Sequence, residues 1–229
     1  MKRLALIPAK GKSTRLPRKN VIDFCGKPML AWSIEAALQS RLFEDVVVST
    51  EDQEIANVSL AWGASVPFIR AGALARDPAG VEAVALDALE RLAVLGREYD
   101  TLAILLPTCP LRTVDDVVAA MALFDRRQGK SLMSVTPFEY PPQRAYRDAP
   151  DDLLEPLFPG KERLKVQELE PTYRCNGALH ILDVPFFRAG RSYTCAPLIK
   201  YVMPRERSVD IDTLDDLRFA EFIRRQTTD

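Results

Sequence analysis

The sequence predicts an α/β fold in which a mainly parallel sheet carries helices on both faces. Two observations predict it. Short apolar runs such as LALIP, DVVVS and TLAILLP alternate along the chain with longer segments of helical periodicity, the rhythm of βαβ units. A length of 229 residues, with 47% hydrophobic and 28% charged residues, suits one large domain with a real core.

Each element follows in order. KRLALIPA reads as a buried strand, and a basic loop leaves its end. KPMLAWSIEAAL has a helical stripe of Leu30, Ile34, Ala37 and Leu38. EDVVVST is a second strand, and Thr50 with Gln53 resembles a capping box opening the helix EDQEIANVSLAWG. VPFIR reads as a short third strand. Asp77 before Pro78 marks a helix start running to about Leu95, and TLAILLP is the most strongly buried strand. Thr113 caps VDDVVAAMALFDRR, and SLMSVTPF is a strand. Residues 139–175 are proline-rich and charged without clear periodicity, an excursion serving as lid or dimerisation arm; 183–200 is a second candidate arm. GALHILDV returns to strand, SVDIDT gives a last short strand, and Thr213 with Asp216 caps the final helix. No boundary divides the chain, so residues 1–229 read as a single domain of Rossmann-like type.

The four cysteines, Cys25, Cys109, Cys175 and Cys195, are scattered and form no CxxC pair, which argues for reduced thiols and against a zinc site. Met-Lys-Arg leads straight into a strand and the apolar runs are too short to span a bilayer, so a cytoplasmic protein without membrane association is expected. The net charge of −1 conceals an asymmetry. Residues 1–22 hold seven Lys/Arg and no acid, leaving 24 basic against 32 acidic residues elsewhere. A basic loop on an acidic body points to a local anion site and argues against nucleic acid as a partner.

That loop is IPAKGKSTRLPRKN, with Lys10, Lys12, Arg15, Arg18 and Lys19 close together. It leaves the first strand at its carboxyl end, where ligands bind in parallel α/β sheets. Gly11 lets the backbone come close to a ligand, while Ser13, Thr14 and main-chain N–H groups can wrap phosphate oxygens. Crowded cations repel unless an anion of several charges, such as a triphosphate, neutralises them. Neither GxxxxGK[ST] nor GxGxxG is present, which removes the P-loop and the dinucleotide fingerprint. Near the other end, Asp210 and Asp212 flank Ile211; on a strand they would face one side about 7 Å apart and share one Mg²⁺.

Taken in order, IPAKGKSTRLPRKN, FCGKPMLAWSIEAAL, VVVSTEDQEIA, LLPTCPLRT, YRCNGALHI and SVDIDTLDDL resemble the acylneuraminate cytidylyltransferase family, the CMP-sialic acid synthetases and related nonulosonate enzymes. The resemblance implies a fold of the nucleotide-diphospho-sugar transferase type, usually a homodimer. It implies attack of the anomeric hydroxyl of an acidic 2-keto sugar on the α-phosphorus of CTP, with release of pyrophosphate. Positioning and charge neutralisation would carry most of that catalysis. Lys10, Arg15 and Lys19 then take catalytic places, and Ala9, Gly11, Lys12, Ser13, Asn20 and Arg70 nucleotide-binding ones. Asp210 and Asp212 become the Mg²⁺ ligands, and Leu106, Gln143, Arg144, Arg174, Asn176 and His180 fall on the sugar side.

Several positions depart from the family pattern. Lys10 stands for an arginine and loses its bidentate fork, Thr14 replaces a lysine, and Lys12 replaces a glycine. Leu106 sits where sialic acid enzymes have glutamine, His180 where they have tyrosine, and Val166, beside Lys165, where they have arginine. RDPAGV lacks a hydroxyl residue after its Asp. These changes point away from N-acetylneuraminate and toward deoxy nonulosonates such as legionaminate and pseudaminate. His180, single on an apolar strand, reads as a pocket wall in preference to a proton-transfer group, and Cys109 as structural. Two rivals stay open. GKSTRL and GKPML echo sugar-1-phosphate and molybdopterin nucleotidylyltransferases, and the altered loop is compatible with a catalytically silent nucleotide-binding protein.

Overall fold

Arg3–Pro8 (β1) places Leu4 and Leu6 on one side and Ala5 and Ile7 on the other, all without solvent exposure, as a central strand buried on both faces requires. The computed structural model describes residues 1–75 and 80–227. After the basic loop, Asp23–Phe24 (β2) and Lys27–Pro28 (β3) form a tight hairpin, with Cys25 and Gly26 at φ 51° and 88°. Both central residues thus take the left-handed conformation that two-residue hairpins favour. The chain continues through Met29–Ser40 (α1), Asp45–Ser49 (β4), Gln53–Ala61 (α2), Val81–Val94 (α3), Thr101–Ile104 (β5), Val114–Arg126 (α4) and Ser131–Pro137 (β6). Tyr146–Ala149 (β7) and Leu153–Pro156 (β8) pair only with each other. Tyr173–Asp183 (β9), Val184–Gly190 (α5), Leu198–Val202 (β10) and Leu214–Gln226 (α6) complete the fold.

The main sheet has the order β10-β6-β9-β5-β1-β4. β1 is parallel to β4 and β5, β10 is parallel to β6, and β9 runs antiparallel to both neighbours. One face packs Ala5, Ile7, Val46, Val48 and Ala103 against Leu30 and Ile34 of α1 and Val117 and Met121 of α4. The other packs Leu4, Leu6, Val47, Leu102 and Ile104 against Leu89 and Leu92 of α3 and Phe187 of α5. A third cluster joins Leu16 of the basic loop, Phe24, Met29 and Ile211 to Leu217 and Ala220 of α6. Trp32 reinforces that corner, with Lys27 3.9 Å and Arg224 of α6 4.1 Å from its ring and its Nε1 donating to the Phe24 carbonyl at 2.9 Å. The basic loop is thereby clamped between the sheet and the last helix.

Thr113 and Asp116, and Thr213 and Asp216, form the expected capping boxes. Other expectations change. VPFIR is not a strand: Pro67 lacks an N–H, and only Ser65 bridges to Val47 before Arg70 N–H reaches the Thr50 carbonyl at 2.8 Å. SVDIDT is extended but unpaired as a strand, tied by Ile211 N–H to the Thr108 carbonyl at 2.8 Å. Asp52, not Thr50, caps α2, accepting from Ile55 N–H, while Thr50 Oγ1 accepts from Asp52 N–H. Leu38 is exposed at the edge of the α1 stripe. The Asp77–Pro78 helix start lies outside the described residues; α3 is described from Val81, with Gly80 at its N-cap. The stretch 183–200 is not irregular: it holds α5 and most of β10, which extends the main sheet beside β6. The excursion is shorter than the expected 139–175: Tyr173, Arg174 and Cys175 already pair with β6 in the main sheet, and the segment between Pro137 and Tyr173 holds the β7–β8 hairpin.

Candidate active site

β1, β4 and β5 are parallel, so their carboxyl ends open on one edge, and there lies a cleft of about 260 Å³. Its polar wall is Lys10, Lys19, Asn20, Arg70, Thr108, Asp210 and Asp212; its apolar wall includes Leu74, Val81, Val84 and Leu106. The basic loop, the end of the 65–70 segment, the loop after β5 and the approach to α6 therefore converge, as ligand sites in such sheets do.

The loop is held by specific contacts. Asn20 is buried, and its Nδ2 donates to the Lys10 carbonyl at 2.8 Å. Lys19 Nζ meets Asp212 Oδ1 and Arg15 Nη2 meets Asp212 Oδ2, both at 2.8 Å. Arg18 turns the other way, to Asp52 at 2.6 Å and to Glu54, and its guanidinium holds the Asp52 carboxyl below the usual range. Gly11 serves a different close approach from the expected one: a Cβ there would lie 2.4 Å from Asp52 Oδ2, and its N–H donates to Glu51 Oε1 at 2.7 Å. Ala9 is buried behind the loop, its N–H on the Ser49 carbonyl at 3.0 Å. Lys12 is exposed and Ser13 half-buried, and neither lines the cleft. Arg70 is 3% exposed, with Nη1 on the Ser49 carbonyl at 3.1 Å and Nη2 on Glu51 Oε2 at 2.5 Å.

Asp210 and Asp212 both face this cleft while Ile211 between them is buried, so the alternation expected of a strand holds in the extended segment. Asp210 is exposed as a residue, but partial enclosure of its carboxyl by the cleft, first, and the Asp212 charge with it raise that carboxyl above its ordinary value, against the lowering effect of a Thr108 hydrogen bond and of Lys19. Two hard oxygen donors, one of them short of compensating charge, are a donor set that fits Mg²⁺. Among the described residues no group of three or more His, Cys, Asp or Glu is placed to hold a metal.

The sugar-side residues divide. Leu106 lines the cleft, and buried Arg112 places it, donating to the carbonyls of Leu106 at 3.5 Å and Ala178 and to Ser33 Oγ at 2.6 Å. Arg174 lies in a second cleft of about 590 Å³ with Glu139, Arg205 and Phe219. Asp210 borders both clefts. Asn176 is turned into the protein: Oδ1 accepts from Ser134 Oγ at 2.6 Å and Nδ2 donates to Ser208 Oγ at 2.8 Å. His180, expected as a pocket wall, lines neither cleft; it is buried against Tyr193, with Cys175 Sγ 3.9 Å from Nε2, and burial lowers its pKa to about 4. Gln143 belongs to the arm, its Nε2 on the Glu170 carbonyl at 3.1 Å, and Arg144 is exposed there. Cys109 is buried, its thiol pushed up by burial and donating to the Asn176 carbonyl at 3.2 Å, as a structural thiol would. Thr108, Glu51 and Arg112 join the site without a motif to mark them; the one local signal is at Glu51, an acid two residues beyond the carboxyl end of a parallel strand.

Comparisons with known proteins identify the family. A cytidylyltransferase family profile matches residues 4–95. Pseudaminic acid cytidylyltransferase of Campylobacter jejuni is 38% identical over 97% of this chain and 96% of its own length. CMP-N,N'-diacetyllegionaminic acid synthase of Legionella pneumophila is 34% identical over 96% of this chain and 95% of its own. In fold, CMP:2-keto-3-deoxy-manno-octonic acid synthetase complexed with CTP superposes with a TM-score of 0.73 at 16% identity, over 99% of this chain and all of that one. Matched along nearly its whole length by such relatives, the chain belongs to the cytidylyltransferase family of the CMP-nonulosonate synthetases.

Proposed function

We propose that this enzyme transfers the cytidylyl group of CTP to the anomeric hydroxyl of an acidic nonulosonate of the pseudaminate and legionaminate class, releasing pyrophosphate. The observation that carries the reading is one cleft in which Lys10, Lys19, Asn20 and Arg70 face Asp210 and Asp212. The cations receive the triphosphate and stabilise the charge that develops on the leaving pyrophosphate. Lys19 and Arg15, which rest on Asp212 in the free enzyme, transfer to phosphate oxygens when CTP enters. Asp210 and Asp212 would hold Mg²⁺, which when bound supplies further neutralisation of the phosphates.

The sugar lies beyond Asp210, toward Arg174, whose guanidinium suits a carboxylate. Leu106 presents hydrocarbon where a polar residue would hydrogen-bond a hydroxyl, which favours a deoxy substrate. The names of the two relatives support the same class. The enzyme acts as a homodimer through the excursion between Pro137 and Tyr173, where Tyr140, Leu153 and Leu154 stand exposed. No helix among the described residues is long and apolar enough to cross a membrane, and the reading places the enzyme in the cytoplasm with its nucleotide.

The test is pyrophosphate release with each of four NTPs crossed with N-acetylneuraminate, legionaminate, pseudaminate and 3-deoxy-manno-octulosonate. CTP with pseudaminate or legionaminate is expected to give the highest kcat/KM. Equal turnover with ATP, or a tenfold preference for N-acetylneuraminate, overturns the corresponding half of the reading.

A further inference from the structure

Glu51 follows β4 by two residues and stands behind the cleft lining, its two carboxylate oxygens divided between the basic loop and Arg70. Oε1 accepts from the Gly11 N–H at 2.7 Å, inside the basic loop and next to Lys10, which lines the cleft. Oε2 accepts from Arg70 Nη2 at 2.5 Å, on a guanidinium that lines the same cleft. Arg70 needs such a partner: it is almost fully buried, its Nη1 is on the Ser49 carbonyl, and its Nε is buried with no hydrogen-bond partner. A buried guanidinium without an anion beside it is costly. The neighbouring Asp52 completes the attachment by filling the space under Gly11 and binding Arg18.

We infer that Glu51 is the positioning residue of the nucleotide seat, holding the phosphate-side loop and Arg70 at a set separation through one bridging carboxylate. A negative charge near a triphosphate site opposes anion binding. Glu51 is tolerable there because each oxygen is already engaged by a donor, so its charge is spent on the protein. The role depends on reach as well as on charge. Aspartate carries the charge but is one methylene shorter and cannot span both donors. Glutamine keeps the reach and an acceptor for Gly11, and turns a neutral group to Arg70. Because a misplaced binding wall weakens ligand affinity without touching the chemistry of the bound complex, the effect falls on CTP rather than on the sugar or on kcat.

This inference rests on the cytidylyl-transfer reading above, and the experiment separates the two. CTP affinity is measured by calorimetry, together with KM for each substrate, kcat and the melting temperature, for the wild type and for Glu51→Gln, Glu51→Asp and Glu51→Ala. Glu51→Gln preserves shape and keeps the test informative where Glu51→Ala does not fold. The expected result is a CTP Kd raised about tenfold or more in Glu51→Asp and Glu51→Ala and less in Glu51→Gln, with kcat and the sugar KM within about twofold. Unchanged CTP affinity in the folded variants, or full rescue by Glu51→Asp, overturns the positioning role. A lowered kcat at unaltered CTP affinity overturns it as well. Failure of the wild type to bind CTP overturns the cytidylyl-transfer reading itself.

Discussion

Burial of the imidazole of His180, whose Nδ1 has no hydrogen-bond partner, lowers its proton affinity to a pKa of about 4, against 6.5 for an unperturbed histidine. Between those values the unfolded chain binds a proton that the folded chain does not, so stability falls as pH drops from about 6.5 toward 4. The loss reaches about 3 kcal/mol at the acid end of that window. His180 is the single histidine of the chain, so urea unfolding at pH 7 and pH 5 should give a gap that narrows in His180→Phe. At the cleft, Asp210→Asn and Asp212→Asn keep shape and remove charge. Both should fold, by circular dichroism, and lose about 10²-fold or more in kcat/KM for pyrophosphate release. Wild-type activity in both variants would make the pair structural and remove it from the proposed mechanism. Leu106→Gln should move the preference among acceptors toward N-acetylneuraminate by about tenfold in kcat/KM, because it returns a hydrogen-bonding group to the apolar wall. Motif and alternation made Lys10, Lys19, Asn20, Asp210 and Asp212 legible in the sequence. They could not orient Asn176 and His180: Gly177 takes φ 71° and the β6–β9 register shifts between Met133 and Val135, so the two-residue period breaks along β9.

At the scale of elements, the start of α4 is a junction as well as a cap. Asp116 accepts from Thr113 N–H and Oγ1 at 3.0 Å, from Arg207 at 2.8 and 2.9 Å, and from Tyr201 of β10 at 3.2 Å. Burial alone would raise its carboxyl; the Arg207 and Thr113 hydrogen bonds outweigh that and hold it below the ordinary value. Thr113→Ala should cost about 1 kcal/mol, the usual worth of an N-cap. Asp116→Ala should cost more, about 2 kcal/mol or above, since it also leaves half-exposed Arg207 and Tyr201 without their partner. Urea denaturation of the two variants checks the order, and equal losses would confine Asp116 to capping. Capping boxes are local, so α4 and α6 could be read directly. β10 could not, because LIKYV alternates exposed and half-buried residues at a sheet edge, and its partner Ser131–Val135 lies far away in the chain. SVDIDT and VPFIR carry strand-like side chains with no neighbour to complete a ladder, which is information that no local window holds.

Across the whole molecule, the β-α rhythm foretold a mainly parallel sheet, but not the antiparallel β9 that joins its two parallel parts, since rhythm gives spacing and not direction. The β7–β8 hairpin pairs with no strand of that sheet, with Leu153 and Leu154 each 63% exposed, and Tyr140 in the segment leading to it is 85% exposed. If two copies meet there, Leu153→Lys combined with Leu154→Lys should convert a dimer into a monomer by light scattering, with the melting transition of the main sheet little changed. A wild type that is already monomeric, or a charged variant that stays dimeric, would remove the arm from the assembly. Elsewhere, the corner where α6 seats has a photophysical consequence. The chain has two tryptophans, and Lys27 lies 3.9 Å from the ring of Trp32 and 5.5 Å from that of Trp62. Neither indole lines the cleft beside the basic loop. Of the two, Trp32 carries the Arg224 contact, so in Trp62→Phe the remaining emission is a gauge of how the last helix sits on the hairpin, and a red shift on heating that precedes the loss of ellipticity would mark that helix lifting away before the sheet melts.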